Sequence, residues 1–220
     1  MKYAEPEWKL PRDETFYTKF NNRNELYKMT LPDWEITEKW LGSSRRTCID
    51  VGGHVGTTAL RYANNFDKVI AFEPLYVELL KENLAHVDNL TVYPYALSDA
   101  EEQMNMVKRV GNSGCSVIVS DVNPDIKKRS GFTRKLMPIE TVILDDYNFT
   151  DIDFIKMDTE GFVLRPLKGM VKTLEANNYP LLQIEFNNLN KSTDECLEFL
   201  ADLGYEEVEQ FHVDRFFVRR

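Results

Sequence analysis

The chain has 220 residues, 43% of them hydrophobic and 29% charged, with a formal net charge of −9. That length suits one domain with or without an extension, and that composition fills an apolar core without a disulfide frame. The acidic balance argues against a nucleic-acid partner, since phosphate contacts need clustered Lys and Arg. No stretch approaches the ~18 apolar residues of a membrane span and no leader is visible, so a cytoplasmic location without a membrane partner is expected.

Residues 1–46 are polar and aromatic, and read as an N-terminal helical extension covering one end of the main domain. Asp33 reads as the cap of a helix carrying Trp34, Thr37, Trp40 and Leu41, closed by Gly42. From residue 47 to residue 220, strands alternate with helices. Residues 48–51 form a short strand running into a glycine-rich turn, in which Cys48 is a small core residue rather than a nucleophile. With Cys115 and Cys196 it makes an odd, widely spaced set, which argues against a disulfide framework or a zinc knuckle and leaves a single bridge or a free thiol open. Residues 57–64 fit a helix. Residues 69–72 are an apolar run too short for one, hence a buried strand. Val77, Leu80, Leu84 and Val87 recur at helical spacing, and residues 90–97 read as a third strand.

Residues 101–143 break the rhythm and read as an irregular β-rich insertion, with short pieces at 116–119 and 137–144. Within it Lys127, Lys128 and Arg129, with Arg134 and Lys135, form a basic cluster. It is read as a solvated loop, with a site for an anionic substrate group as the sharper alternative. The parallel pattern resumes at residues 154–157. Val163, Leu167, Met170 and Leu174 line one face of a following helix, with Pro166 in its first turn. Residues 181–184 are a further strand. Ser192 and Glu195 suggest a capping box for a helix ended by Gly204. Strands at 206–212 and 215–219, joined by a turn at Val213 and Asp214, close the chain. The pattern predicts a Rossmann-like α/β fold: a mostly parallel sheet with helices on both faces and an antiparallel C-terminal hairpin strand.

Asp50-Val51-Gly52-Gly53-His54-Val55-Gly56 lies between the first strand and the first helix, at the carboxyl edge where doubly wound sheets bind ligands. Glu73 ends the second strand, where a carboxylate can accept two hydrogen bonds from a ribose diol. Two ligands compete for this layout. A dinucleotide site wants G-x-G-x-x-G, and here Val51 stands where the first glycine belongs. Asp50 is awkward beside a pyrophosphate and favourable beside an ammonium, so the local chemistry favours S-adenosylmethionine over a nicotinamide cofactor. A tight turn with no ligand is the plainer reading of the glycines. Asp158, Glu160 and Glu185 reach the same edge. Each alone is a common cap or surface residue, but together they could orient a cation, accept a proton or hold a divalent metal. No ligand spacing specifies a metal, so none is expected.

Four blocks then make the pattern specific: Ile49-Asp50-Val51-Gly52-Gly53-His54-Val55-Gly56, Ala71-Phe72-Glu73-Pro74, Tyr95-Ala96-Leu97-Ser98-Asp99, and Ile155-Lys156-Met157-Asp158-Thr159-Glu160-Gly161. Gly111-Asn112-Ser113-Gly114, Leu144-Asp145-Asp146 and Ile184-Glu185 support them. In this order they resemble the FkbM family of S-adenosylmethionine-dependent methyltransferases, although that family usually has Ala-Asn at Gly53-His54 and often Val-Glu-Gly at residues 159–161. The resemblance implies that Asp50 and the Gly52 backbone, with Gly53, His54 and Gly56 in the same turn, hold the methionine end of the cofactor. It puts Glu73 on the ribose, Ala96 near the adenine and Asp158 near the methionine end. It also implies O-methylation of a hydroxyl on a sugar, a glycan or another polar small molecule. Glu160, Glu185 and His54, in that order, are the candidate catalytic bases, whereas His86 and His212 read as surface or core residues. The acceptor pocket is expected between residues 111–120 and the Glu160 and Glu185 edge. A nicotinamide oxidoreductase, weakened by Val51, and a non-catalytic cofactor-binding interaction module are the alternatives.

Overall fold

Strands whose apolar residues stand at consecutive positions need cover on both faces, and four strands of this chain are of that kind. They are β1 (Thr47–Val51), β2 (Lys68–Phe72), β8 (Ile152–Met157) and β9 (Leu181–Glu185). The computed structural model describes residues 1–22, 25–120, 134–187 and 192–220, of Arg134 the backbone alone. In it these strands form the middle of a seven-stranded sheet, with β3 (Leu90–Tyr93) at one edge and β10 (Tyr205–Phe211) and β11 (Asp214–Arg219) at the other. The order is β10-β11-β9-β8-β1-β2-β3. All pairings are parallel except β10 with β11 and β11 with β9. This is the expected parallel α/β sheet with its antiparallel hairpin strand.

Successive residues of the inner strands face two separate cores. Ile49, Val51, Ile70, Phe72, Ile155 and Met157 pack with Leu167, Leu174 and Leu200. Those three come from helices α5 (Leu164–Lys168), α6 (Val171–Ala176) and α7 (Thr193–Asp202). On the other face, Cys48, Val69, Ala71 and Phe154 pack with Trp34, Leu60 and Leu80, which belong to α2 (Leu31–Trp40), α3 (Thr57–Ala63) and α4 (Val77–Asn83). The aromatic residues of the N-terminal segment explain its composition. Tyr3, Trp8, Tyr27 and Trp34 are buried against this second core. The segment also carries α1 (Tyr17–Asn21) and a single 3₁₀ turn at Tyr27–Thr30.

Several elements differ from expectation. Residues 90–97 are two strands, because Pro94 has no N–H to give a ladder. β3 ends at Tyr93, and β4 (Ala96–Leu97) joins a second sheet. That sheet, ordered β4-β7-β5-β6, replaces the irregular insertion. β5 (Glu102–Arg109) runs antiparallel to β7 (Arg134–Val142) in continuous register from Glu102↔Thr141 to Arg109↔Arg134, with β6 (Val117–Ile118) beside β5. The helix expected through residues 163–174 is divided between α5 and α6 at Gly169, where a Cβ would lie 2.0 Å from the Ser98 carbonyl oxygen. Asp33 sits in the first turn of α2, whose N-cap position is Thr30. Ser192 occupies the N-cap position of α7 but makes no side-chain capping bond, so the capping box is not formed. The hairpin turns one residue earlier than expected, at His212 and Val213, with His212 at φ +53°. The basic residues Lys127, Lys128 and Arg129 lie outside the described residues. No helix of the described residues is long and apolar enough to cross a membrane.

Candidate active site

Because β1, β2, β8 and β9 are parallel, their carboxyl ends share one edge, and the residues just beyond them converge. The ladder continues into these loops: Gly52 N–H donates to Phe72 O at 2.9 Å and Asp158 N–H to Val51 O at 2.9 Å. Gly52 is left-handed at φ +91°, and a Cβ there would stand 1.9 Å from the Asp158 carbonyl oxygen, so only glycine lets the two loops close. A cavity of about 410 Å³ opens along this edge, within the range of small-molecule sites. One wall is the sheet edge, with Gly52, Glu73, Asp158 and Glu185. The turn between β5 and β6 supplies Ser113 and Ser116, and β6 supplies Ile118. The N-terminal segment closes it with Phe16, Tyr17, Met29 and Trp34.

Glu73 is buried, and its Oε1 accepts the Leu75 and Tyr76 amides at 2.7 and 2.9 Å. Its Oε2 accepts the His54 amide at 2.9 Å. A carboxylate has about four acceptor positions, so Oε2 keeps one for a ligand rather than the full pair expected for a diol. Burial pushes this carboxyl up to about 7, against those three hydrogen bonds.

At the other end, Asp158, Glu160 and Glu185 bring one oxygen each within 4.8 Å of one another, a set able to hold a divalent cation. Burial raises the Asp158 carboxyl, but Lys156 Nζ, donating to Oδ2 at 2.9 Å, outweighs it and holds the group below its ordinary value. Burial and then the Asp158 charge push Glu160 to about 8. Burial followed by Asp158 and Glu160 pushes Glu185 to about 10. Asn187 Nδ2 donates to Glu160 Oε2 at 2.9 Å and to Glu185 Oε2 at 3.2 Å. Crowded against the ionised Asp158, Glu160 and Glu185 hold protons until a cation arrives.

His54 has φ +47°, and its ring stands between Tyr17 and Tyr76, each centroid 5.2 Å away. Burial brings its imidazole down to about 4. Nε2 lies 2.7 Å from Ser113 Oγ.

The cavity wall therefore includes Gly52, His54, Glu73, Ala96, Asp158, Glu160 and Glu185. Asp50, Gly53 and Gly56 stand behind it. A Cβ on Gly53 or Gly56 would meet Leu80 or Leu84 at 2.8 Å, so both glycines admit the α4 side of the core. Asp50 is fully buried, and neither carboxylate oxygen has a hydrogen-bond partner among the described residues. It aligns with Lys156 across the β1–β8 pairing, and burial, against the Lys156 charge, sets it at about 6. His86 and His212 are exposed and do not line the cavity.

Sequence reasoning missed four contributors. The first is Lys156, whose readable signal is a lysine inside the mostly apolar strand β8. Its ammonium is buried, and Asp158, Asp50 and Asp214 more than offset that burial to hold it charged. Asp33, read as a cap, lines the cavity instead, as does Asp214. Glu14 carries no local signal. It is buried, and it accepts the Ser113 amide at 2.6 Å.

The family described as the methyltransferase FkbM domain matches residues 50–207. No protein of curated function matches the chain in sequence. Among solved structures, the FkbM methyltransferase of Methylobacillus flagellatus KT is similar at 19% identity and a TM-score of 0.56, over 91% of this chain and 52% of its own. This chain thus spans about half the length of that protein, and the likeness is one of fold. A methyltransferase of Streptococcus mutans in complex with SAH is similar at 13% identity and a TM-score of 0.48, over 83% of this chain and 94% of its own. The precorrin-6y C5,15-methyltransferase of Geobacter metallireducens GS-15 is similar at 12% identity and a TM-score of 0.47, over 83% and 85%.

Proposed function

This chain belongs to the FkbM family of S-adenosylmethionine-dependent methyltransferases, and from that premise we propose that it methylates a hydroxyl of a sugar, a glycan or another polar small molecule. The charge of the cavity carries this reading. Among its described lining residues, six carboxylic side chains (Asp33, Glu73, Asp158, Glu160, Glu185 and Asp214) face two permanent cations, Arg61 and Lys156. Glu160 and Glu185 hold protons until a cation arrives and can ionise beside it, so such a wall favours a cationic ligand over a phosphate. It suits the sulfonium and α-ammonium of S-adenosylmethionine, and it opposes the pyrophosphate of a nicotinamide dinucleotide or a nucleic-acid acceptor.

Glu73 would hold the ribose through the free acceptor position on Oε2. Gly52 and Asp158 would hold the methionine end, and Ala96 would lie against the adenine. Asp50, Gly53 and Gly56 would act from behind the wall, the glycines by shaping the turn and Asp50 by its charge. S-adenosylmethionine supplies an activated methyl group, so the protein's work is to align a hydroxyl and remove its proton. The aromatic closure by Phe16, Tyr17 and Trp34 offers apolar faces of the kind on which a sugar ring packs. The proposal predicts that tritium from methyl-labelled S-adenosylmethionine enters a carbohydrate or small-molecule fraction. Label recovered in DNA, RNA or protein would refute this substrate class and leave the family assignment intact.

A further inference from the structure

A hydroxyl acceptor needs a proton acceptor that is unprotonated before the reaction. Glu160 and Glu185 both sit on the cavity wall, but their oxygens are gathered with Asp158 into the set able to hold a divalent cation, and Asn187 Nδ2 donates to both. Lys156 is charged and has no lone pair to offer. His54 remains, and its proton state can be worked out from donors and acceptors alone.

The count begins at Glu14. Its Oε1 accepts the Phe16 amide at 2.6 Å and the Tyr17 amide at 3.0 Å. Its Oε2 accepts the Ser113 amide at 2.6 Å and the Ser113 hydroxyl. All four acceptor positions meet donors, so this carboxylate carries no proton. Burial opposes its ionisation, but the hydrogen bonds, those from Ser113 first, win and hold the group below its ordinary value. The single proton of Ser113 Oγ is committed to Glu14. At its 2.7 Å contact with His54 Nε2, Ser113 Oγ must therefore accept, and Nε2 must carry the hydrogen. Burial keeps the imidazole neutral near pH 7, so the lone pair sits on Nδ1. His54 lines the cavity, and no described residue bonds Nδ1.

We infer that His54 is the catalytic base for the acceptor hydroxyl, receiving the proton at Nδ1, and that Ser113 and Glu14 are positioning residues that fix its Nε2–H tautomer. This rests on the hydroxyl-methylation reading above. The hydroxyl oxygen forms the bond to the methyl carbon, the carbon–sulfur bond breaks with its electron pair going to sulfur, and the hydroxyl proton passes to Nδ1. The imidazolium so formed donates from Nε2 to Ser113, whose hydroxyl donates to the Glu14 carboxylate. A full negative charge is thus placed two hydrogen bonds away, and the proton leaves to water. Glu14 lies outside residues 50–207. It is carried to the site by the N-terminal segment, which is docked by Phe16 N–H on Gly111 O at 2.9 Å and by Gly111 N–H on Asp13 O at 2.9 Å.

The test reads the tautomer directly, without an acceptor. Long-range ¹H–¹⁵N correlation spectra of the labelled protein should show the His54 ring with Nε2 protonated and Nδ1 bare. His54→Asn identifies the signal and keeps a residue that tolerates positive φ. Glu14→Gln exchanges one acceptor oxygen for an NH₂ group; with the Phe16 and Tyr17 amides holding the remaining oxygen, the NH₂ faces Ser113, whose proton is released toward Nε2, and the Nδ1–H form should appear. With an acceptor from the labelling screen, turnover should fall at least 100-fold in His54→Asn. It should fall about 10-fold in Glu14→Gln and Ser113→Ala, with the S-adenosylmethionine dissociation constant within threefold of wild type. Ser113→Thr, which keeps the hydroxyl, should restore both tautomer and rate. An Nδ1–H ring in the wild-type protein, or wild-type turnover in folded Ser113→Ala, would overturn the inference. Failure of the hydroxyl reading would instead appear as label in another acceptor class, with the tautomer unchanged.

Discussion

The parallel sheet and the four-stranded sheet face the same cavity but are held together differently. β1 is buried along its whole length, and Phe154 of β8 has no exposed surface, lying between Tyr62 and Phe66 at centroid distances of 5.3 and 6.1 Å. In the second sheet, β5 buries only Val107, which forms a two-residue core with Val117. The first sheet is thus a packed frame, which places Glu73, Asp158 and Glu185. The second is a half-exposed wall, tied to the N-terminal segment by polar contacts such as Lys108 Nζ to Asp13 Oδ1 at 2.9 Å. A site divided in this way can keep its cofactor edge rigid while its acceptor wall varies.

The largest expected effect tests that asymmetry. Phe154→Ala should lower stability by about 3–5 kcal/mol, read as a shift in the urea midpoint. Val117→Ala removes two buried methyl groups from the weaker core and should lower it by about 1.5 kcal/mol. Equal losses would show that the two sheets share one core after all.

Ligand binding sharpens the division. Glu73→Ala removes a buried carboxylate from the frame and should weaken S-adenosylmethionine binding by about 1.5–3 kcal/mol, roughly 10- to 150-fold. Ile118→Ala, on the opposite wall, should change it by less than about fivefold, the scale of a partial loss of apolar contact. Isothermal titration compares the two directly, and an unchanged constant in Glu73→Ala would move the ribose contact elsewhere.

The smallest effect concerns the acid cluster. The folded state raises Glu185 from 4.5 to about 10, so between those values the folded chain holds a proton that the unfolded chain has lost. Stability contributed by this group therefore falls as pH rises above about 5. Glu185→Gln mimics the protonated form at every pH. Its melting temperature should match wild type near pH 4 and exceed it by at least about 2 °C at pH 8, while its affinity for S-adenosylmethionine falls. A difference that does not grow with pH would mean that the carboxyl is ionised in the free protein.

What could be read from sequence follows the same division. The strands β1, β2, β8 and β9 were legible because a strand buried on both faces is a short apolar run, and their shared carboxyl edge followed from the alternation with helices. Asp50, Glu73 and Asp158 fell out of that geometry. The β3–β4 division was missed because Pro94 interrupts a run that is otherwise continuous in character. The second sheet looked irregular because β5 alternates weakly, with most of its residues exposed or half-exposed. Glu14 was beyond reach, since its partner Ser113 lies 99 residues away and no local pattern marks a carboxylate that will be buried by a distant loop.

The central claim is that this carboxylate-lined edge is built for a sulfonium cofactor. Calorimetric titration of the intact chain at neutral pH, first with S-adenosylmethionine and then with NAD, tests it most directly. The account predicts saturable micromolar binding of S-adenosylmethionine and no heat with NAD. Binding of NAD with none of S-adenosylmethionine would contradict it.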